Sequence, residues 1–206
     1  MENAKSIILI GGTSHVGKST LAESLARTLG WRQTSTDSLA RHPGRPWRAN
    51  PDDVPAHVKE HYGTLDVDQL MSSVLSHYDA MWEPLIEPLL LDQPMDANAP
   101  GLVLEGSALL PIKVAQVPTG RIFAVWLTAS PGLISDRIHA ESGYSVMAPA
   151  GRKLVDNFLR RTLAFNDFVR MEVDRLLLPH LEVDEMSAEE LQKRCLEMAG
   201  LAGMRP

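Results

Sequence analysis

The chain has one cysteine, Cys195, in 206 residues. An intramolecular disulfide is thereby excluded, and the expected setting is a reducing cytoplasm. No apolar run is long enough to cross a bilayer. The first residues show no basic segment followed by an apolar one, so no signal peptide is expected. An excess of positive charge is also missing. The formal net charge is −6, which argues against a general nucleic-acid binder, since that function needs a basic surface. Internal repeats and low-complexity tracts are absent, and no shift in composition marks a domain boundary. Neither a guanine-reading Asn-Lys-x-Asp segment nor an Asp-x-x-Gly after the third apolar run is present, which counts against a GTPase switch.

What remains is an ordinary apolar content and a length that suit one α/β domain over residues 1–206. Apolar runs alternate with amphipathic stretches, which implies a parallel sheet with helices on both faces. Strands are predicted at Ser6 to Ile10, Trp31 to Thr36, Leu102 to Glu105, Ile122 to Thr128 and His180 to Val183. Helices are predicted at Lys18 to Leu29, stopped by Gly30, and at Val54 to Tyr62. A further helix starts near Asp66, with Val67, Leu70, Val74, Tyr78 and Met81 on one face. Others cover Pro131 to His139 and Lys153 to Leu178. A last helix follows the capping box of Ser187-Ala188-Glu189-Glu190. Pro84 and Pro88 should break or kink the third helix at its far end. A small-residue loop is expected from Ser142 to Gly151.

The most specific signal is Ile7-Ile8-Leu9-Ile10-Gly11-Gly12-Thr13-Ser14-His15-Val16-Gly17-Lys18-Ser19-Thr20. A strand runs into Gly-x-x-x-x-Gly-Lys-Ser and then into a helix, the context a phosphate-binding P-loop requires. Glycines let backbone N–H groups turn inward on phosphates, and the helix N-terminus adds positive potential. The expected nucleotide contacts are Gly12, Thr13, Ser14, His15, Val16, Gly17, Lys18, Ser19 and Thr20. Lys18 would reach the β- and γ-phosphates, and the Ser19 hydroxyl would ligate Mg²⁺. His15 reads as a residue that shapes the loop.

Ligands of open parallel sheets bind outside the carboxyl ends of the strands. Asp37, Glu105 and Asp184 follow strands two, three and five. Transfer of a phosphoryl group to an alcohol needs a carboxylate that orients the hydroxyl and takes its proton. Asp37 fits that role, or caps the segment Ser38 to Arg41. Glu105 fits a Mg²⁺-holding acid, and the base and metal roles stay open between the two. Arg137 and Arg161 are candidates for contacting phosphate. Arg161 shares a helix face with Phe158 and Phe165, and a guanidinium on an apolar face needs an anion partner or a route to solvent. Arg160 should face solvent. Arg41, His42, Arg45 and Arg48 form a local basic patch suited to a small anionic ligand. His57, Glu60 and His61 match His-x-x-Glu-His, but no third ligand is evident and a polar helix surface is the simpler reading. Trp47, Tyr78 and Trp82 read as core.

Taken together, the P-loop from Gly12 to Thr20, the Ser35-Thr36-Asp37-Ser38-x-x-Arg41 segment, and Glu105-Gly106 followed by Leu110-Pro111 resemble the P-loop small-molecule kinases. That group holds nucleoside monophosphate, shikimate and gluconate kinases. Within it the chain looks most similar to 2-phosphoglycerate kinase-like and zeta-toxin-like proteins. The resemblance covers roughly the first 140 residues well. It implies a P-loop NTPase fold with sheet order 2-3-1-4-5, Mg-ATP as donor, and a small lid at about residues 142–152. It also implies a small, anionic, 2-phosphoglycerate-like acceptor, met by Asp37, Arg41, Arg45, Arg48 and Glu105. Arg137 and Arg161 would be arginines flanking the lid and closing on phosphates. A non-catalytic nucleotide-binding regulator and a toxin-like kinase of a nucleotide sugar are the competing expectations.

Overall fold

The computed structural model describes residues 5–40, 43–94, 99–117 and 120–203. Five parallel strands form one sheet: β1 (Ile7–Gly12), β2 (Arg32–Ser35), β3 (Leu102–Glu105), β4 (Ile122–Thr128) and β5 (His180–Glu182). Their order is β2-β3-β1-β4-β5, as the resemblance implies. β1 lies at the centre and is buried along its whole length, which is why it reads as an unbroken apolar run. Alternate residues feed two cores. Ile8 and Ile10 join Val103, Val125 and Leu127 on one face. Ile7 and Leu9 join Leu102, Leu104 and Trp126 on the other.

Eight helices cover the sheet in the described residues: α1 (Lys18–Leu29), α2 (Ala56–Thr64), α3 (Val67–Met81), α4 (Glu87–Leu91), α5 (Pro111–Val114), α6 (Pro131–Ser142), α7 (Pro149–Arg175) and α8 (Ala188–Met198). α1, β3 and β4 have the bounds expected of them. α3 starts from a full capping box between Asp66 and Gln69, and α8 from the expected one between Ser187 and Glu190. Pro84 does not end the helical path. The backbone widens into a π-turn over Trp82–Ile86 and resumes as α4 with Pro88 near its start, where a missing N–H is tolerated. α6 runs on to Ser142 and α7 begins at Pro149, so the loop expected over Ser142 to Gly151 shrinks to residues 143–148. A 3-10 turn, Tyr144–Val146, occupies half of it. The Tyr144 ring stacks on His139 at 4.2 Å, and its hydroxyl donates to Asp156 at 2.8 Å.

The register explains how distant residues meet. Ile10 pairs with Glu105, and Ser35 pairs with Glu105 from the other side. The carboxyl ends of β1, β2 and β3 are therefore level, and the P-loop, Asp37 and Glu105 emerge along one edge. Two glycines allow the close approach. A Cβ on Gly12, at φ 129°, would lie 2.3 Å from the Leu127 carbonyl oxygen. A Cβ on Gly106, at φ 149°, would lie 1.8 Å from Thr36 Oγ1. Gly106→Ala is expected to destabilise the protein by ~2 kcal/mol or more, combining backbone strain with overpacking. Urea denaturation at neutral pH measures this, and an unchanged midpoint would contradict the packing described.

Candidate active site

β1 turns at Gly12 into a loop that closes on the first turn of α1. The Lys18 ammonium donates to the Thr13 carbonyl at 2.6 Å, and the Thr13 hydroxyl donates to the Thr162 carbonyl of α7 at 3.0 Å. Lys18 is buried. Burial pulls its pKa down, while the carboxylates of Glu105 and Asp37 push it back up. Its one hydrogen bond to a neutral carbonyl is worth on the order of 1 kcal/mol. Desolvating an ammonium costs several times that, so an anion brought to Lys18 is strongly favoured. The Ser19 hydroxyl donates to Glu105 Oε1 at 3.1 Å. Hydroxyl and carboxylate oxygens are hard donors of the kind Mg²⁺ prefers, with water completing its shell. The residues present thus fit the expected cation.

His15 departs from an ordinary loop residue. Its backbone is left-handed at φ 67°, and its carbonyl accepts from Arg137 Nη1 at 2.8 Å. Its Nε2 lies 2.9 Å from Glu141 Oε2, and the other Glu141 oxygen holds Arg45. The imidazole is flanked by Trp47 and Phe158. Glu141, at the end of α6, therefore ties the P-loop to the 43–55 segment.

Two cavities meet at this edge. The larger, 770 Å³, is lined by Ser14 to Leu21, Asp37, Glu105, Arg137 and Glu141, with Val183, Met186 and Leu191 as an apolar wall. The smaller, 250 Å³, is lined by Asp37, Tyr62, Tyr78, Ser107, Phe158 and Arg161 among others. Asp37 and Arg45 border both. Asp37 is not an N-cap: it lies inside the 3-10 turn Thr36–Ser38, and its own N–H donates to Ser35 Oγ.

The structure thus brings together Ser14 to Thr20, Asp37, Arg45, Glu105 and Arg137, while Gly12 and Thr13 pack into the protein behind the loop and do not line the cavity. Arg161 stands apart from that group. It lines the smaller cavity and is not among the residues around the larger one. Arg48 is turned away, donating to the Arg45 and Trp47 carbonyls. Arg41 and His42 lie outside the described residues. Asp184 does not face the site either. Its carboxylate accepts the Ser130 N–H at 2.8 Å and so secures the turn before α6. Arg160 is exposed as expected. His57 and Glu60 are exposed on α2, and no cluster of three metal-ligating side chains occurs among the described residues. Trp47, Tyr78 and Trp82 are core residues, although Tyr78 also reaches the smaller cavity. Sequence reasoning missed Tyr62, Ser107 and Glu141. Ser107 could have been found from its place two residues past β3. Tyr62 and Glu141 carry no local mark, since their roles depend on what α7 and the P-loop bring to them.

No protein-family model and no curated protein matches the chain. Solved structures do match in fold. A gluconokinase from Sinorhizobium meliloti 1021 is 18% identical, with TM-score 0.50, over 97% of this chain and 93% of that one. A sugar kinase from Janibacter sp. HTCC2649 is 15% identical, with TM-score 0.50, over 96% of each. A deoxyadenosine kinase from M. mycoides, solved with the products dCMP and dCDP, is 14% identical, with TM-score 0.51, over 94% of this chain and 98% of that one. The chain has the fold of these P-loop kinases. Among the described residues, no helix is long and apolar enough to cross a membrane.

The His15 ring gives a pH signature. Burial holds its pKa below 6.5, helped by Arg45 and opposed by Glu141. The unfolded chain therefore takes up the proton first as pH falls. The stability contributed by neutral His15 is complete above about pH 6.5 and is lost as pH drops through the folded value. His15→Asn tolerates the left-handed backbone and removes this proton. Between about pH 7 and 5 its Tm should fall less steeply than that of the wild type. Parallel slopes in scanning calorimetry would contradict the assignment.

Proposed function

We propose that the protein is an ATP-dependent phosphotransferase that moves the γ-phosphoryl group of Mg-ATP to a hydroxyl of a small anionic metabolite. The observation that carries this reading is the pair of adjoining cavities with Asp37 on their shared border. A transferase needs two substrates end to end, and a nucleotide-binding regulator needs only one. The P-loop and Lys18 take the triphosphate in the larger cavity, with the nucleoside toward the apolar wall of Val183, Met186 and Leu191. Ser19 and Glu105 would hold the magnesium, which when bound would neutralise charge on the transferring phosphate.

The acceptor occupies the smaller cavity, and Asp37 orients its hydroxyl. That oxygen attacks the γ-phosphorus, the bond to the bridging oxygen of the β-phosphate breaks, and ADP leaves. The proton passes to the Asp37 carboxylate. Arg137, held against the P-loop by the His15 carbonyl, supplies positive charge at the mouth of the larger cavity. Arg45, now paired with Glu141, borders both substrates. The turn at 143–148 and the first turn of α7 serve as the lid. A 2-phosphoglycerate-like compound is the acceptor that the resemblance favours, and cytoplasmic metabolism is the setting that the single cysteine favours.

The test is ADP release from Mg-ATP in the presence of small hydroxylated acids, including 2-phosphoglycerate. Acceptor-dependent release is expected, and its absence across all of them would oppose the transferase reading. Lys18→Ala should reduce turnover by about 100-fold or more through lost phosphate stabilisation. Asp37→Asn should reduce kcat by about 100-fold or more while leaving the affinity for Mg-ATP within about twofold. Unchanged kcat in Asp37→Asn would remove it as the base.

A further inference from the structure

The smaller cavity carries a charge that the fold does not balance. Arg161 is 6% exposed, yet it forms no ion pair among the described residues. One terminal nitrogen, Nη2, donates to the Tyr62 hydroxyl over a long 3.4 Å. The guanidinium lies over the Phe158 ring at 4.8 Å. Its Nε is buried with no hydrogen-bond partner. A guanidinium offers five N–H donors in a flat fork that matches the two oxygens of an acid group. Most of that capacity is unused, and the cation borders the cavity.

The rest of the wall agrees. Tyr62 and Tyr78 stand beside Arg161. Burial raises the pKa of both hydroxyls, that of Tyr78 to about 12, so they remain O–H donors. Tyr78 is hydrogen-bonded to Ser107, which lines the same cavity. Among the described residues the only carboxylate on the wall is Asp37, an acceptor suited to a hydroxyl. Volume limits the occupant. The 250 Å³ lies below the ~300–1,000 Å³ typical of sites for drug-sized ligands.

We propose that the acceptor is a compact hydroxy acid, with an acid group seated on Arg161 and Tyr62 and its reacting hydroxyl at Asp37. Nucleosides and neutral polyols are excluded because neither carries the acid group that Arg161 calls for. The fate of the hydroxyl rests on the kinase reading above, whereas the seat for the acid rests on Arg161 alone. Carboxylate and phosphate monoester share the chemistry that the guanidinium recognises.

Binding to the full chain without nucleotide separates these claims. The probes are glycerate, glycerol 3-phosphate, glycerol and deoxyadenosine, titrated by calorimetry. At least one of the two acids is expected to bind, and glycerol and deoxyadenosine are not. Which acid binds identifies the carboxylate or the phosphate as the group read. Arg161→Gln should weaken that acid at least about tenfold, the value of a charged hydrogen bond. Its Tm should equal or exceed that of the wild type, because an uncompensated buried cation is removed. Tyr62→Phe keeps the packing and should weaken the acid by about threefold or more, which supplies the test if Arg161→Gln does not fold. No binding of either acid, equal binding of glycerol or deoxyadenosine, or full acid affinity in the two variants would overturn the proposal. If an acid binds through Arg161 and no acid drives ADP release, the kinase reading fails and the acid seat stands. If a neutral acceptor drives ADP release as well as the acids do, the kinase reading stands and the acid seat fails.

Discussion

The arrangement depends on two buried cations that have no ion-pair partner among the described residues, at one edge of a parallel sheet. Lys18 is tied to a single backbone carbonyl, and Arg161 to a tyrosine hydroxyl. Proteins ordinarily pair such charges or keep them in water. Here the nearby acids, Asp37 and Glu105, raise the Lys18 pKa from a distance without pairing with it among the described residues, and both face the cavities. Each cation marks a place where a negative group would relieve an electrostatic load. Lys18 borders the larger cavity and Arg161 the smaller, so the two cations face different cavities.

The scaffold makes this tolerable. The level ends of β1, β2 and β3 follow from their register, and the central position of β1 buries it on both faces. α7 then serves both seats at once. Its Thr162 carbonyl anchors the P-loop through Thr13, while Arg161, one residue earlier, turns toward the other cavity. Glu141 adds a second tie by holding His15 and Arg45 together. The P-loop and the segment that borders both cavities are therefore joined through Glu141.

Much of this was legible in the residues themselves. α1 is punctuated by the glycine loop and by Gly30, and β3 and β4 are apolar runs buried on both faces, so their bounds could be read directly. β2 was harder, because Arg32-Gln33-Thr34-Ser35 holds no apolar residue and lies at the sheet edge. The apolar face of α7 marked Arg161 as unusual, but its cavity is decided by α2 and Tyr62, far away in sequence. Asp184 shows the opposite error. Strand-end position alone suggested a site residue, and a nearby backbone N–H claims its carboxylate. Arg48 likewise satisfies itself on local carbonyls. Local pattern indicates which groups carry chemistry, and tertiary packing decides which of them remain available for it.

The most direct test of the central claim is thermal unfolding with and without polyphosphate. Magnesium tripolyphosphate carries the anion without a nucleoside, and adenosine carries the nucleoside without the anion. If Lys18 awaits an anion, tripolyphosphate and Mg-ATP will both raise Tm in a concentration-dependent way, and adenosine will not. Equal stabilisation by adenosine, or no response to either polyphosphate at millimolar concentration, would contradict the account.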